Sequence, residues 1–367
     1  MLRTTILIAA IENFVLFGTF LALGSFTIAL VIRQLTIRQI WRPRAEGLAY
    51  FYTAALVIPP LASLWLVSAA LFPRLWMTPE AFAAEHAAPL HEIHLLGALT
   101  LPVEPALAYG MALFVVVIAA GVTWSNIRRA WSVGRVIKQL DMKAVAPPSD
   151  QVALVDEVAS KSGISVGLVM SDYPLSFVWG FRHSKLILSS GLLHALTPAE
   201  LTGVLEHEAA HHERRDNLIK LSLSLCSYSS LAFPLSRTLV GWRATEVEMI
   251  CDEVAAWRTS EPLEIAEALV KLRRKTMAGQ IVSEPIATHA LASGFVSDSA
   301  LTFQRRVDRL LTLVDAPIAD HARKIQSSTV RAGAFLFGAS LVLLSGILLY
   351  APLSVHHATE TLIEIFR

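Results

Sequence analysis

The chain has 367 residues, 54% of them hydrophobic and 17% charged, with a formal net charge of +1. Soluble globular proteins carry about 25% charged residues, so this composition excludes an ordinary water-soluble protein and points to the bilayer. The net charge itself says nothing about nucleic acid; the basic residues are accounted for by membrane topology, and no direct nucleic-acid binding is expected.

Four apolar runs, residues 14–32, 50–72, 106–124 and 332–353, are long enough, or nearly so, to cross a bilayer. A hydrocarbon core takes about 20 helical residues. The first run is followed by Arg33, Arg38, Arg42 and Arg44 instead of a small-residue cleavage site, so it reads as an anchor and not a removed signal. Pro59-Pro60 predict a kink in the second. Basic residues stay on the cytoplasmic side. The arginines after the first run, and Arg128, Arg129, Arg135, Lys138 and Lys143 after the third, are therefore expected inside. The loop from Pro73 to Pro105, with Glu80, Glu85, Glu92 and Glu104 against Arg74, is expected outside. The resulting organisation is a membrane region over 1–145 with three transmembrane helices, a cytoplasmic domain over 146–330, and a fourth helix with a short extracytoplasmic tail over 331–367. Both termini are then extracytoplasmic. Cys226 and Cys251 are the only cysteines, which implies no disulfide framework, and Cys251 reads as a buried structural thiol.

Within the cytoplasmic region, Pro147-Pro148-Ser149-Asp150 caps a helix over about 151–162, closed by Gly163. Segments 166–170, 176–181 and 185–189 are short and rich in apolar or β-branched residues, predicting a small sheet. Lys185-Leu186-Ile187-Leu188 fits two descriptions: an edge strand that pairs with an extended peptide, or a plain core strand.

Thr197-Pro198-Ala199-Glu200 is a capping box with proline at the first helical position. It opens a helix carrying His207-Glu208-Ala209-Ala210-His211. Residues four apart share a helix face, so His207 and His211 can present two imidazole nitrogens to one zinc ion, with Glu208 beside them as general base. A catalytic zinc takes three protein ligands. An extended metzincin pattern would need glycine at 214 and histidine at 217, where this chain has Arg214 and Asn217. A glutamate on a following helix remains, and Glu248 supplies it, with Asp252 one turn on to accept a hydrogen bond from a ligand histidine. Without the upstream motif, Glu248 and Asp252 would read better as an acidic helix surface. Glu246 and Glu253 fall on other faces and are expected in solvent.

The run 218–242 is apolar but interrupted by Lys220, Pro234 and Arg237. A single crossing of the bilayer would leave Glu248 on the opposite side from His207 and His211. The run must therefore turn back near Phe233-Pro234 or lie along the cytoplasmic face, which puts the site close to the membrane surface. Residues 262–276 form a helix with Ile265, Ala268, Leu269 and Leu272 on one side. Residues 279–298 lack a period and read as a loop over the cleft. Residues 299–314 read as a last helix, whose Arg305-Arg306-Val307-Asp308-Arg309 run is expected to face solvent or lipid headgroups, the alternative being a cation for a substrate carboxylate or an oxyanion.

His207-Glu208-Ala209-Ala210-His211 running into Arg214-Arg215-Asp216, and Glu248 running into Cys251-Asp252-Glu253, together resemble the membrane-bound zinc metallopeptidases of the BlaR/MecR type. These are gluzincins that carry a β-lactam signal to a cytoplasmic repressor. The likeness covers about Ser149 to Trp257 and includes the strand and Gly-Leu turn between Phe177 and Leu193. It implies Zn2+ as cofactor, His207, His211 and Glu248 as metal ligands and Glu208 as catalytic base. It also implies a mainly α integral membrane protein of the bacterial inner (plasma) membrane. Four transmembrane helices would carry a cytoplasmic α+β gluzincin-type domain between the third and fourth. Its partners would be the bilayer and a protein or peptide substrate such as a cytoplasmic repressor. Receptors of that type end in a large extracellular penicillin-binding domain that does not follow the last apolar segment here, so the resemblance speaks for the protease more than for the sensor. The expected function is a membrane-anchored zinc endopeptidase in regulatory signalling. The alternatives are an HtpX-type quality-control protease and a non-catalytic signalling scaffold, and the glutamate between the histidines disfavours the scaffold because a purely structural site has no use for a base.

Overall fold

The computed structural model describes residues 2–41, 43–67, 92–95, 99–102, 104–139, 149–180, 184–278, 293–294 and 300–314. The apolar runs near the start form α1 (Leu2–Ile37) and α2 (Ala45–Leu66). Two stretches within them, Ala10–Ile37 and Ala45–Leu66, are long and apolar enough to cross a membrane. Where the two helices pack, Gly18 lets the backbones approach: a Cβ there would lie 2.8 Å from Ser63 Oγ. Helix α2 continues through Pro59-Pro60, and Ser63 Oγ donates to the Pro59 carbonyl at 2.9 Å. Strands β1 (Glu92–Leu95) and β2 (Leu99–Pro102) pair antiparallel. The expected third span lies inside α3 (Glu104–Gln139), whose apolar part is Tyr109–Ser125. The expected fourth span and the tail after it lie outside the described residues, as does most of the 73–105 loop.

Among the described residues the chain divides into two compact units, one gathering Met1–Gly121 with Leu223–Trp242, the other Val122–Ser222 with Arg243–Thr329. In the first, Trp242 stacks on Phe26 with ring centroids 5.6 Å apart, and the Arg33 guanidinium lies 4.5 Å over the Trp242 ring. The backbone N–H of Leu231 donates to Thr19 Oγ1 at 3.0 Å.

The second unit is α+β. Helix α4 (Ser149–Ser162) ends at Gly163, whose φ of +66° is the left-handed conformation that glycine adopts without strain. Strands β3 (Ser165–Val169), β4 (Ser176–Trp179) and β5 (Lys185–Ser189) join β6 (Ser293–Gly294) in the order β3-β5-β4-β6. β5 runs parallel to β3 and antiparallel to β4, and β6 adds antiparallel beyond β4. β5 is therefore a central strand. Of the two descriptions of residues 185–188, the peptide-pairing edge is excluded and the core strand is correct: strand order depends on long-range pairing, which the local pattern does not carry.

Alternation divides the sheet residues between two faces. Leu186, Leu188 and Val178 join the main core with Val155 and Val158 of α4, while Ile187 and Phe177 pack with Val169 and Leu175 on the other side. After β5, α5 (Ser190–Ala195) occupies the Gly-Leu turn; Ser189 Oγ caps it by accepting from Leu192 N–H at 3.1 Å. Helix α6 (Pro198–Glu213) then passes through the core, with Leu201, Val204 and Leu205 fully buried against Ile265, Ala268 and Leu269 of α9 (Pro262–Ala278). Each such leucine contributes about 1.5–3 kcal/mol of burial. Helices α7 (Asp216–Ser227), α8 (Phe233–Thr259) and α10 (Ala300–Val314) complete the described elements. The 218–242 run is thus helix, turn and helix, with the break at 228–232 and Pro234 in the first turn of α8.

At Gly203 a Cβ would meet Ile265 Cγ1 at 2.6 Å, so α6 and α9 are in closest approach there. Overpacking costs about 1–3 kcal/mol, against a helix-propensity gain of about 1 kcal/mol. Gly203→Ala is expected to be destabilising on balance, read as a lower thermal midpoint; a midpoint raised above wild type would show that the two helices have room to part.

Candidate active site

The capping box is present in both directions: Glu200 N–H donates to Thr197 Oγ1 at 3.3 Å and Thr197 N–H to Glu200 Oε2 at 2.7 Å. It fixes the start of α6 and hence the register of the buried turn that follows. His207 and Glu208 are fully buried and His211 is 3% exposed. The two imidazoles turn Nε2 toward each other at 3.2 Å. Glu248 comes from α8, placing Oε2 3.5 Å from His207 Nε2 and Oε1 3.5 Å from His211 Nε2. The structure therefore brings together the three residues expected as metal ligands. It also places Glu208 on the same turn and Asp252 at His207.

Each ring is oriented from its far side. His207 Nδ1 lies 2.9 Å from Asp252 Oδ1, and His211 Nδ1 lies 2.9 Å from Asp216 Oδ2. In the neutral tautomer with the proton on Nδ1, facing these carboxylates, each ring would leave Nε2 as its lone-pair nitrogen. Asp216 opens α7 directly after Arg215, whose φ of +55° turns the chain sharply out of α6. Asn217 pins that turn to the sheet by donating to the carbonyls of Val178 at 2.8 Å and Gly180 at 3.2 Å. Cys251 is buried with Sγ 3.5 Å from His211 Nδ1, a packed thiol as expected, though against a ligand ring.

The fit of a metal ion can be judged from the donors. Four ligands about 2.0–2.1 Å from a tetrahedral zinc stand about 3.3 Å apart. The spacings of 3.2, 3.5 and 3.5 Å among the two Nε2 atoms and the Glu248 oxygens match that edge. Glu248 Oε2 is buried and has no hydrogen-bond partner among the described residues. Two neutral imidazoles would meet lone pair to lone pair, an arrangement that a cation between them relieves. The donor set of nitrogen, nitrogen and carboxylate oxygen suits zinc.

The surrounding charges divide the carboxylates. Burial alone would raise Glu248, Asp252 and Asp216. His211, His207 and Arg306 hold Glu248 well below the usual range, Arg306 and His207 hold Asp252 below it, and His211, Arg214 and Arg243 do the same for Asp216. Glu208 goes the other way: burial pushes it up, and the two histidines and Ser176 offset this only in part. Burial would lower both histidines, but Asp252 and Glu248 raise His207, and Cys251, Glu248 and Asp216 raise His211. Glu208 Oε1 accepts from Ser176 Oγ at 3.0 Å, while its Oε2 is buried without a hydrogen-bond partner among the described residues. One oxygen is thus held and the other is open to reaction.

Three expectations from the sequence need correction. Glu246 is 1% exposed and meets Arg305 Nη2 at 3.2 Å, and Glu253 meets Arg309 Nε at 2.7 Å, so neither is a solvated acid. Arg306 is fully buried, bound to Asp252 through Nε at 2.7 Å and Nη2 at 2.8 Å, with Nη1 3.3 Å from Glu248 Oε2. All three arginines of the α10 run pair with acids of α8; Arg306 is buried there, while Arg305 and Arg309 stay partly exposed. Ser176 and Arg306 were not read as parts of the site, and no local spacing marks them. Asp216 was visible only as part of the Arg-Arg-Asp flank.

The donor set, two histidines of one helix and a glutamate of a second with Glu208 beside them, is one that could hold a metal ion. Comparison with known proteins agrees: residues 151–276 match peptidase family M48. A protease HtpX homolog of Acidiphilium cryptum is 31% identical over 157 residues, covering 33% of this chain and 55% of that protein. A protease HtpX homolog of Acaryochloris marina is 28% identical over 174 residues, 36% of this chain and 59% of that one. The protease HtpX of Legionella pneumophila strain Corby is 38% identical over 73 residues, 18% and 26%. The chain thus spans little more than half the length of the first two relatives.

The pH dependence of the metal-free chain follows from the depressed acids. Asp216 and Asp252 have lower pKa values folded than unfolded, so their contribution to stability is present above the unfolded value of about 4 and is lost as pH falls through the folded one. Thermal midpoints are expected to fall as the pH drops below about 4, less steeply in Asp216→Asn and Asp252→Asn; identical acid limbs in the variants would remove these two groups as the cause.

Proposed function

We propose that this chain is a membrane-anchored, zinc-dependent endopeptidase that hydrolyses peptide bonds in a protein substrate. The observation that carries the reading is the convergence of His207, His211 and Glu248 donor atoms beside a buried glutamate with one unpartnered oxygen. The match to peptidase family M48 supports it, and α1 and α2 support attachment to a membrane. His207, His211 and Glu248 would hold zinc, which when bound lowers the pKa of water and polarises a carbonyl. Glu208 takes the proton of the attacking water on Oε2 and returns it to the leaving amine, while Ser176 holds Oε1 and keeps the carboxylate from rotating. Its raised pKa suits both halves of that transfer, because a carboxylate nearer neutrality accepts and releases a proton with less imbalance. Asp252 and Asp216 keep the imidazoles in the tautomer that ligation needs.

For the substrate, β4 is the relevant strand. It carries Ser176 next to Glu208, and Ser293–Gly294 of this same chain pairs antiparallel with it at Phe177 and Val178. An extended peptide taking the place of Ser293–Gly294 on β4, in that direction, would pass the base. Two biological roles remain distinct. The HtpX relatives favour the HtpX-type reading, whereas the Arg214-Arg215-Asp216 and Cys251-Asp252 flanks favour a regulatory protease that cuts a repressor.

Glu208→Gln is expected to keep zinc at wild-type stoichiometry and to lose about 10²–10⁴-fold or more in cleavage of β-casein and of the chain itself. Full proteolysis by that variant would remove the assigned base. Glu248→Gln is expected to lower the zinc content of purified protein, measured by elemental analysis, and unchanged content would place the third ligand elsewhere.

A further inference from the structure

By volume, Arg306 is the largest of the side chains with less than 2% exposure. A guanidinium does not shed its proton, so its burial requires oxygen partners on several of its donors. Nε and Nη2 grip both oxygens of Asp252 at 2.7 and 2.8 Å, and Nη1 stands 3.3 Å from Glu248 Oε2. Asp252 Oδ1, the oxygen that takes Nη2, also faces His207 Nδ1 at 2.9 Å. One planar cation therefore touches a ligand glutamate and the carboxylate that orients a ligand histidine.

We propose that Arg306 is a positioning residue of the metal centre: acting chiefly through Asp252, it turns His207 Nε2 toward the metal and makes tight metal binding conditional on the docking of α10. The proposal rests on the reading of this site as a zinc centre. Holding α10 against α8 does not by itself call for Arg306, because Arg305 with Glu246 and Arg309 with Glu253 already link the two helices. Arg306 differs in reaching inward to the donor set. Asp252 and Glu248 lie one helical turn apart with their carboxylates on the same side, where two anions repel unless a cation stands between them. Without the guanidinium, Asp252 keeps His207 as a partner for one oxygen only. It is then free to rotate away from the imidazole or to compete with Glu248 for the metal. A lysine offers a charge at one point and cannot fill the fork while also facing Glu248.

The test uses the full chain in detergent. Zinc affinity is read by chelator competition, and the cobalt-substituted protein is read by its visible absorption. Arg306→Met is expected to weaken zinc binding about 10–100-fold and to change the cobalt bands, with Arg306→Lys recovering only part of the loss. In an Asp252→Asn background, Arg306→Met is expected to add little further loss. That double variant leaves no unpaired buried charge, so it reports even if Arg306→Met alone fails to fold. Wild-type zinc affinity and an unaltered cobalt spectrum in Arg306→Met would overturn the proposal, as would losses that multiply in the double variant. A wild-type chain that takes up no stoichiometric zinc would overturn the zinc reading and the proposal together, whereas zinc uptake indifferent to Arg306 would overturn the proposal alone.

Discussion

Two imidazole nitrogens held 3.2 Å apart in a protein interior, each ring already committed on its other side to a carboxylate, constrain everything around them. With both rings neutral and Nδ1 protonated, the facing nitrogens would both present lone pairs, and the low dielectric of the core would magnify their repulsion. The surrounding acids supply the opposite field, which draws positive charge to the gap: protons in the bare chain, a divalent cation in the reading proposed here. The apolar packing of α6 serves this arrangement. Leu201, Val204, Leu205 and Ala209 bury the helix, fixing the backbone from which His207 and His211 project.

A second constraint concerns how the ligand glutamate arrives. Between Asp216 and Glu248 the chain leaves the site, runs through the α7–α8 connection and returns. Both ends of that excursion meet the same imidazole, Asp216 at Nδ1 of His211 and Glu248 at Nε2. Closing a loop grows costlier only as the logarithm of its length, so an insertion of this size is tolerated once its ends are fixed. Arg214 and Arg243, which flank the two ends, both lie close to Asp216 at 3.4 and 3.8 Å and lessen the penalty of burying it.

What could be read from the residues alone follows the range of the interactions. The helix bearing His207, Glu208 and His211 was legible because capping and i to i+4 spacing are local, and the pairing of Glu248 with Asp252 was legible on the same grounds. That Glu248 returns to the histidines was legible only through topology, since a single bilayer crossing would have separated them. Ser176 lies 32 residues from Glu208, and Arg306 lies 54 from Asp252. No period connects such positions. The Arg305–Arg309 run misled for a related reason: a string of charges reads as a solvated face unless the facing element is known, and here that element is α8 with its own acids. The central place of β5 was hidden likewise, because Leu186-Ile187-Leu188 fits any strand buried on both faces.

Three acids of the site are buried and Glu248 is largely so, and the four still separate into two kinds. Glu248, Asp252 and Asp216 are each held ionised by a cation or imidazole at close range. Glu208 has only a serine hydroxyl on one oxygen, and desolvation lifts it. An acid that must bind or orient has to stay charged and still, whereas one that must exchange a proton has to lie where both forms are within reach. The neighbours differ: Arg306 stands beside Asp252 and Glu248, and Ser176 meets Oε1 of Glu208. In the reading proposed here, a guanidinium at Asp252 and Glu248 and a hydroxyl at Glu208 set apart two roles that the helix repeat alone leaves alike.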